Sequence, residues 1–115
     1  MRKESLKIAR AFAAGVAASA ARTRTDGQAV YLHDNLIAQR GADGSIWVTL
    51  AGWGTVTTRD RVNTLCRVLG SDVRFYQRNH VQRVAFPDGA DFDTCPRDRW
   101  EIAAAGGEIR HSPEA

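Results

Sequence analysis

A chain of 115 residues with 43% apolar and 25% charged residues has the size and composition of one globular domain. Its net charge of +3 and pI near 9.3 permit nucleic acid as a partner but do not require it, because no block of like charges forms a basic tail. The positive charge is carried by 14 Arg and 2 Lys, and the two cysteines, Cys66 and Cys95, show no CxxC spacing, so both are read as reduced thiols.

The N-terminal stretch MRKESLKIARAFAAGVAASA has a faint signal-peptide look, with Ala18-Ser19-Ala20 as a cleavage-like site. Its apolar run is short, made mostly of Ala and interrupted by Gly15, and cannot span a bilayer. Alanine is the best helix former, so residues 1–22 are read as an N-terminal helix with Ile8, Phe12 and Val16 forming one narrow stripe. Such a helix packs on the domain's own sheet or pairs with a second copy as a homodimer.

Asp26-Gly27 marks a turn. Three strand-like runs follow, over 29–33, 36–40 and 45–50, with short polar connections that argue an antiparallel meander. Ile46, Val48 and Leu50 share one face of the third run. The stretch AGWGTVTTRDRVNTL then leads from strand to helix. Gly52 and Gly54 flank Trp53, but no Lys or third Gly completes a phosphate-binding loop. The stretch is read as a turn anchored in the core by Trp53, leading to a helix over 59–69. Thr58 is its expected N-cap, with Thr57 as the alternative. Val62, Leu65, Cys66 and Leu69 give the helical period, and Gly70 closes it.

Two more strands are expected over 72–78 and 81–86, with Pro87-Asp88-Gly89 as the following turn. The order is α-β-β-β-α-β-β. It predicts an α+β domain with an antiparallel sheet of about five strands, and the N-terminal and central helices packed on it. Residues 1–102 form this single domain. Residues 103–115 are read as a flexible C-terminal tail, with Trp100 and Ile102 packing back before it.

The candidate binding surface is polar. Arg74, Tyr76 and Arg78 share one face of a strand, Arg83 lies on its neighbour, and Arg59 and Arg67 lie on the central helix. Arginine interleaved with an aromatic can stack and pair with single-stranded nucleic acid, or anchor a protein interface. A plain solvated sheet face has the same composition. His33, His80, Cys66 and Cys95 lack metal-ligand spacing, so no metal is expected. The aspartates Asp88, Asp91, Asp93 and Asp98 are read as a solvated acidic loop. No nucleophile stands in a catalytic motif, so neither an enzyme nor a cofactor is expected.

Several stretches together resemble a group of small proteins encoded by tailed bacteriophages. They are Thr25-Asp26-Gly27, Tyr31-Leu32-His33, Asn35-Leu36-Ile37-Ala38, Gly44-Ser45-Ile46-Trp47, Gly52-Trp53-Gly54-Thr55-Val56-Thr57-Thr58-Arg59, Arg61-Val62-Asn63 and Tyr76-Gln77-Arg78-Asn79-His80. The likeness covers roughly residues 25–84. It implies an accessory factor acting in the cytoplasm of the infected bacterium by binding a host protein or ribonucleoprotein complex. Anti-CRISPR and other anti-defence proteins are frequent among phage domains of this size.

Overall fold

The computed structural model describes residues 2–102 and 109–112. The first helix, α1 (Lys3–Ala14), buries Ser5, Ile8, Ala9 and Phe12. These positions recur at helical spacing, and burying the Ile8 and Phe12 side chains contributes about 1.5–3 kcal/mol each. The helix ends at Gly15, whose φ of +73° lies in the left-handed region and whose N–H donates to the Phe12 carbonyl. Arg40 closes the same end. Its Nη2 donates to the Phe12 carbonyl at 2.6 Å and its guanidinium lies over the Phe12 ring.

The helix is therefore shorter than the alanine content predicts. Residues 18–25 form a hairpin of β1 (Ala18–Ala20) and β2 (Thr23–Thr25) instead, with Ala21 and Arg22 in its turn, both at positive φ. Pairing of β2 with β3 overrides helix propensity. Val16, expected in the helical stripe, is 53% exposed.

From β2 the chain continues as a meander through β3 (Ala29–Leu32), β4 (Asn35–Arg40) and β5 (Ile46–Thr49). It then leaves the sheet for α2 (Val56–Val68) and a second, three-stranded sheet of β6 (Arg74–Arg78), β7 (Val81–Ala85) and β8 (Asp91–Asp93). Finally β9 (Arg99–Ile102) returns beside β5, and β10 (Ile109–Ser112) pairs on its outer side. The large sheet has seven strands in the order β1-β2-β3-β4-β5-β9-β10, and every pairing is antiparallel. The α+β class is as expected, but the single sheet of about five strands is replaced by two sheets. The strands missed by the sequence reading are three or four residues long, too short for an alternation signal. The tail expected over 103–115 falls partly outside the described residues, at 103–108 and 113–115.

α1 packs on β1, β2 and β3 and against α2, α2 packs against β6, and the shared core includes Val30, Leu32, Val48 and Ile102. Trp100 joins the sheets: its ring meets Phe75 edge-on at 6.0 Å and Phe86 at 5.8 Å, and its Nε1 donates to Thr94. A buried arginine, Arg61, ties α2 to α1 and β2 through Ser5 and Thr23. Truncating it removes the buried donor shared by the Ser5 and Thr23 hydroxyls and the cation beside Asp60. Arg61→Ala is expected to lower unfolding free energy by about 3 kcal/mol in urea titration.

Gly27 has φ +92°, and a Cβ there would stand 2.5 Å from the Gly15 carbonyl oxygen, backbone against backbone. Gly89 has a similar φ of +96° but open space around it. Gly27→Ala is therefore expected to cost about 2 kcal/mol or more, and Gly89→Ala about 1 kcal/mol. Comparing their urea midpoints separates the steric clash from the dihedral strain.

Candidate functional site

The sequence Arg74-Phe75-Tyr76-Gln77-Arg78 alternates, and β6 folds so that Phe75 enters the core while its neighbours face outward. The hairpin register places Tyr76 opposite Arg83, and Arg83 opposite Asp93. The outer face of the three-stranded sheet thus carries arginine and tyrosine on β6, arginine on β7 and aspartate on β8.

Tyr76 is the centre of this face. The guanidiniums of Arg74 and Arg78 stand 5.2 Å and 5.9 Å from its ring centroid. Its hydroxyl donates to Asp91 and accepts from Arg83 Nε at 3.1 Å. Arg83 reaches Asp91 at 2.8 Å and also pairs with Asp93. The Tyr76 hydroxyl and then Arg83 hold the Asp91 carboxyl below its ordinary value, so it is ionised at neutral pH. Hydrogen bonds to Tyr76 and Asp91 raise Arg83 in turn.

The expected acidic loop is therefore corrected. Asp91 and Asp93 are strand residues that hold Arg83. Asp88 accepts from the Ala90 N–H in the turn, and Asp98 accepts from the Cys95 N–H. Residues seven to fifteen apart in sequence meet here because β7 pairs with both β6 and β8.

Of the six expected binding residues, Arg74, Tyr76, Arg78 and Arg83 share one face. Arg59 is partly committed inward. Its Nη1 donates to the Gly54 carbonyl at 2.8 Å and to Gln77 and Gln82 at 3.2 Å, which stitches α2 to the β6–β7 hairpin. Arg67, in the last turn of α2, is exposed and lines a groove shared with Arg74.

Trp53 is the main correction in the strand-to-helix stretch. It does not anchor a core but is 56% exposed. Leu50–Trp53 is a tight turn closed by Trp53 N–H to the Leu50 carbonyl at 2.9 Å, with Ala51 and Gly52 at φ +56° and +85°. The turn carries the indole outward. The helix starts earlier than expected, with Thr55 rather than Thr58 or Thr57 as its cap; Thr55 Oγ1 accepts from the Thr58 N–H. Val56, in the first turn, is 63% exposed. Beside Trp53 is a groove of about 380 Å³ with an apolar floor. An aromatic between two glycines belongs to no hydrophobic period, so the sequence pattern could not assign its face.

Among the described residues no group of three His, Cys, Asp or Glu is placed to hold a metal. None of the described helices is long and apolar enough to cross a membrane. Cys66 is buried, and burial pushes its thiol up to about 12, whereas Cys95 is exposed. One thiol per folded chain is expected to react quickly with a disulfide reagent and the second only after denaturation; two fast thiols in the native protein would contradict this packing.

Fold and site together define a small α+β domain that presents a braced polar sheet face. A family model described as Kyanoviridae Gp96 protein matches residues 1–101, and the chain belongs to this family of phage proteins. No curated protein and no solved structure matches the chain.

Proposed function

We propose that this chain is a non-enzymatic, phage-encoded binding protein that inhibits a bacterial defence complex by steric occlusion, in the manner of an anti-CRISPR protein. It would act in the cytoplasm of the infected host, on a protein or ribonucleoprotein partner. Membership in a phage family supports the biological setting. The observation that carries the binding reading is Tyr76 between Arg74 and Arg78, backed by Arg83 and its two aspartates. Tyr and Arg are the residues that most often dominate interface energetics, and side chains already held in place lose little freedom on binding.

The mixed sign of the face favours a protein surface over a phosphate backbone. Asp91 and Asp93 compensate Arg83 and would repel phosphates, leaving Arg74 and Arg78 as the cations beside Tyr76. The competing reading is a small nucleic-acid-binding module, supported by the same Arg–Tyr stacking.

The test is affinity capture from a bacterial lysate with and without nuclease, using the native chain and the Arg74→Glu/Arg78→Glu double variant. A defence complex held stoichiometrically after nuclease, and lost with the variant at an unchanged melting temperature, is the expected outcome. Retention by the folded variant rejects this face. Binding that disappears with nuclease and weakens steeply with salt supports the nucleic-acid module instead.

A further inference from the structure

The groove at the start of α2 is not part of the Arg–Tyr face, yet it borders it. Its floor is aliphatic, made by Leu32, Ile37 and Leu50, and Trp53 stands at its wall. Thr55, Thr57 and Thr58 form the opposite lip. A volume of about 380 Å³ accommodates a large side chain with room to spare. Trp53 is held outward by a turn in which a non-glycine residue, Ala51, adopts φ +56°. Such strain persists only where the surroundings impose it. Here the Gly52 N–H donates to the Pro96 carbonyl at 3.0 Å and fixes the turn on the loop before β9.

Two guanidiniums flank the groove, and Asp34, between its lining residues His33 and Asn35, is paired with Arg24 at 3.3 Å. Arg2 Nη1 donates to Thr57 Oγ1 at 2.8 Å. The Arg97 side chain lies over Gly52, 3.5 Å from where a Cβ would stand. No Asp or Glu lines the groove, and the first turn of α2 carries no acidic residue. Asp60, in the next turn, is directed to Ser5, Arg61 and the Arg2 N–H.

We infer that this groove is a docking site for an acidic peptide segment of a protein partner, which inserts one large aliphatic side chain against Trp53. The aliphatic floor selects an apolar side chain, and the guanidiniums of Arg2 and Arg97 at its edge select carboxylates flanking it. A nucleic acid would satisfy the guanidiniums but leave the floor of Leu32, Ile37 and Leu50 without an apolar partner. This inference deepens the protein-binding reading and rests on it. It adds the partner's chemistry and a second point of attachment.

The test uses the full chain, isotopically labelled, titrated with three nine-residue blocked peptides. The first is built of Asp and Glu around a central Leu, the second has Ala at its centre, and the third keeps Leu among Lys residues. The expected result is that the first peptide shifts the Trp53 indole resonance and the amides of Thr55–Thr58. The central Ala should weaken binding about tenfold, and Trp53→Ala in the protein should do the same. Arg97→Glu should weaken the acidic peptide several-fold and leave the melting temperature unchanged.

Three results would overturn the inference: no shift at millimolar peptide, equal binding of the basic peptide, or shifts confined to another surface. Its failure is distinguishable from failure of the functional reading. If captured host protein depends on Arg74 and Arg78 while the acidic peptide does not bind, the groove falls alone. If the peptide binds at Trp53 and no defence complex is captured, the defence role falls alone.

Discussion

The position of α2 depends on one buried cation. Arg61 is 3% exposed and donates from Nε to Thr23 Oγ1 at 2.8 Å and from Nη1 to Ser5 Oγ at 2.6 Å. Asp60 lies 3.6 Å away and itself accepts from Ser5. Burial lowers the Arg61 pKa and Asp60 opposes that shift, so the guanidinium keeps its charge. A planar donor satisfied by two hydroxyls and a carboxylate from three elements tolerates little displacement. An aliphatic contact in the same place would allow α2 to slide. Among the described residues no buried side-chain nitrogen or oxygen lacks a partner, so the polar core specifies position without an unpaired group.

That placement is passed on to the second sheet. Asn63, two residues after Arg61, uses its side-chain amide as a short strand edge: Nδ2 donates to the Phe75 carbonyl at 2.9 Å and Oδ1 accepts from the Phe75 N–H at 2.7 Å. Arg59 adds Gln77 and Gln82 from the other side. Trp100 then fills the space between the sheets against Phe75 and Phe86. The Arg–Tyr face therefore sits on a hairpin held at its edge, its inner face and its turn-proximal end. A hairpin alone would be marginal in water, and this bracing supplies the pre-organisation that an interface requires.

The sequence was legible where elements were long and periodic. The meander β3–β5, the hairpin β6–β7 and the core stripe of α2 follow from alternation and helical spacing; the strands lie within a residue or two of their expected ranges, and α2 begins three residues earlier than expected. The short strands β1, β2, β8, β9 and β10 were not legible, because three or four residues are too few to show alternation, and β9 is placed by pairing with β5, distant in sequence. Alanine misled at residues 15–22, where local propensity favoured helix and the left-handed Gly15 together with pairing to β3 decided otherwise. The polar face was legible in part. Its alternation named Arg74, Tyr76, Arg78 and Arg83, but nothing local revealed that Asp91 and Asp93 would lie across from Arg83.

Many of the arginines are engaged within the fold. Arg24 and Arg99 lie over Tyr31 and Trp47 on the other face of the large sheet, at 4.2 Å and 4.4 Å, and Arg40 closes α1. Arg61 is internal and Arg83 is compensated. What the positive charge supplies here is largely planar, multidentate cross-linking, which lysine could not replace. The first turn of α2 then divides the remaining surface. Successive helical residues point about 100° apart, so Thr55, Thr57 and Thr58 face the apolar groove while Val56 and Arg59 line the groove shared with Arg74 and Tyr76. The Trp53 groove and the Arg–Tyr face are thus two sides of one ridge. The proposed partner, were it to span the ridge, would cover exposed Val56 and meet both surfaces at once.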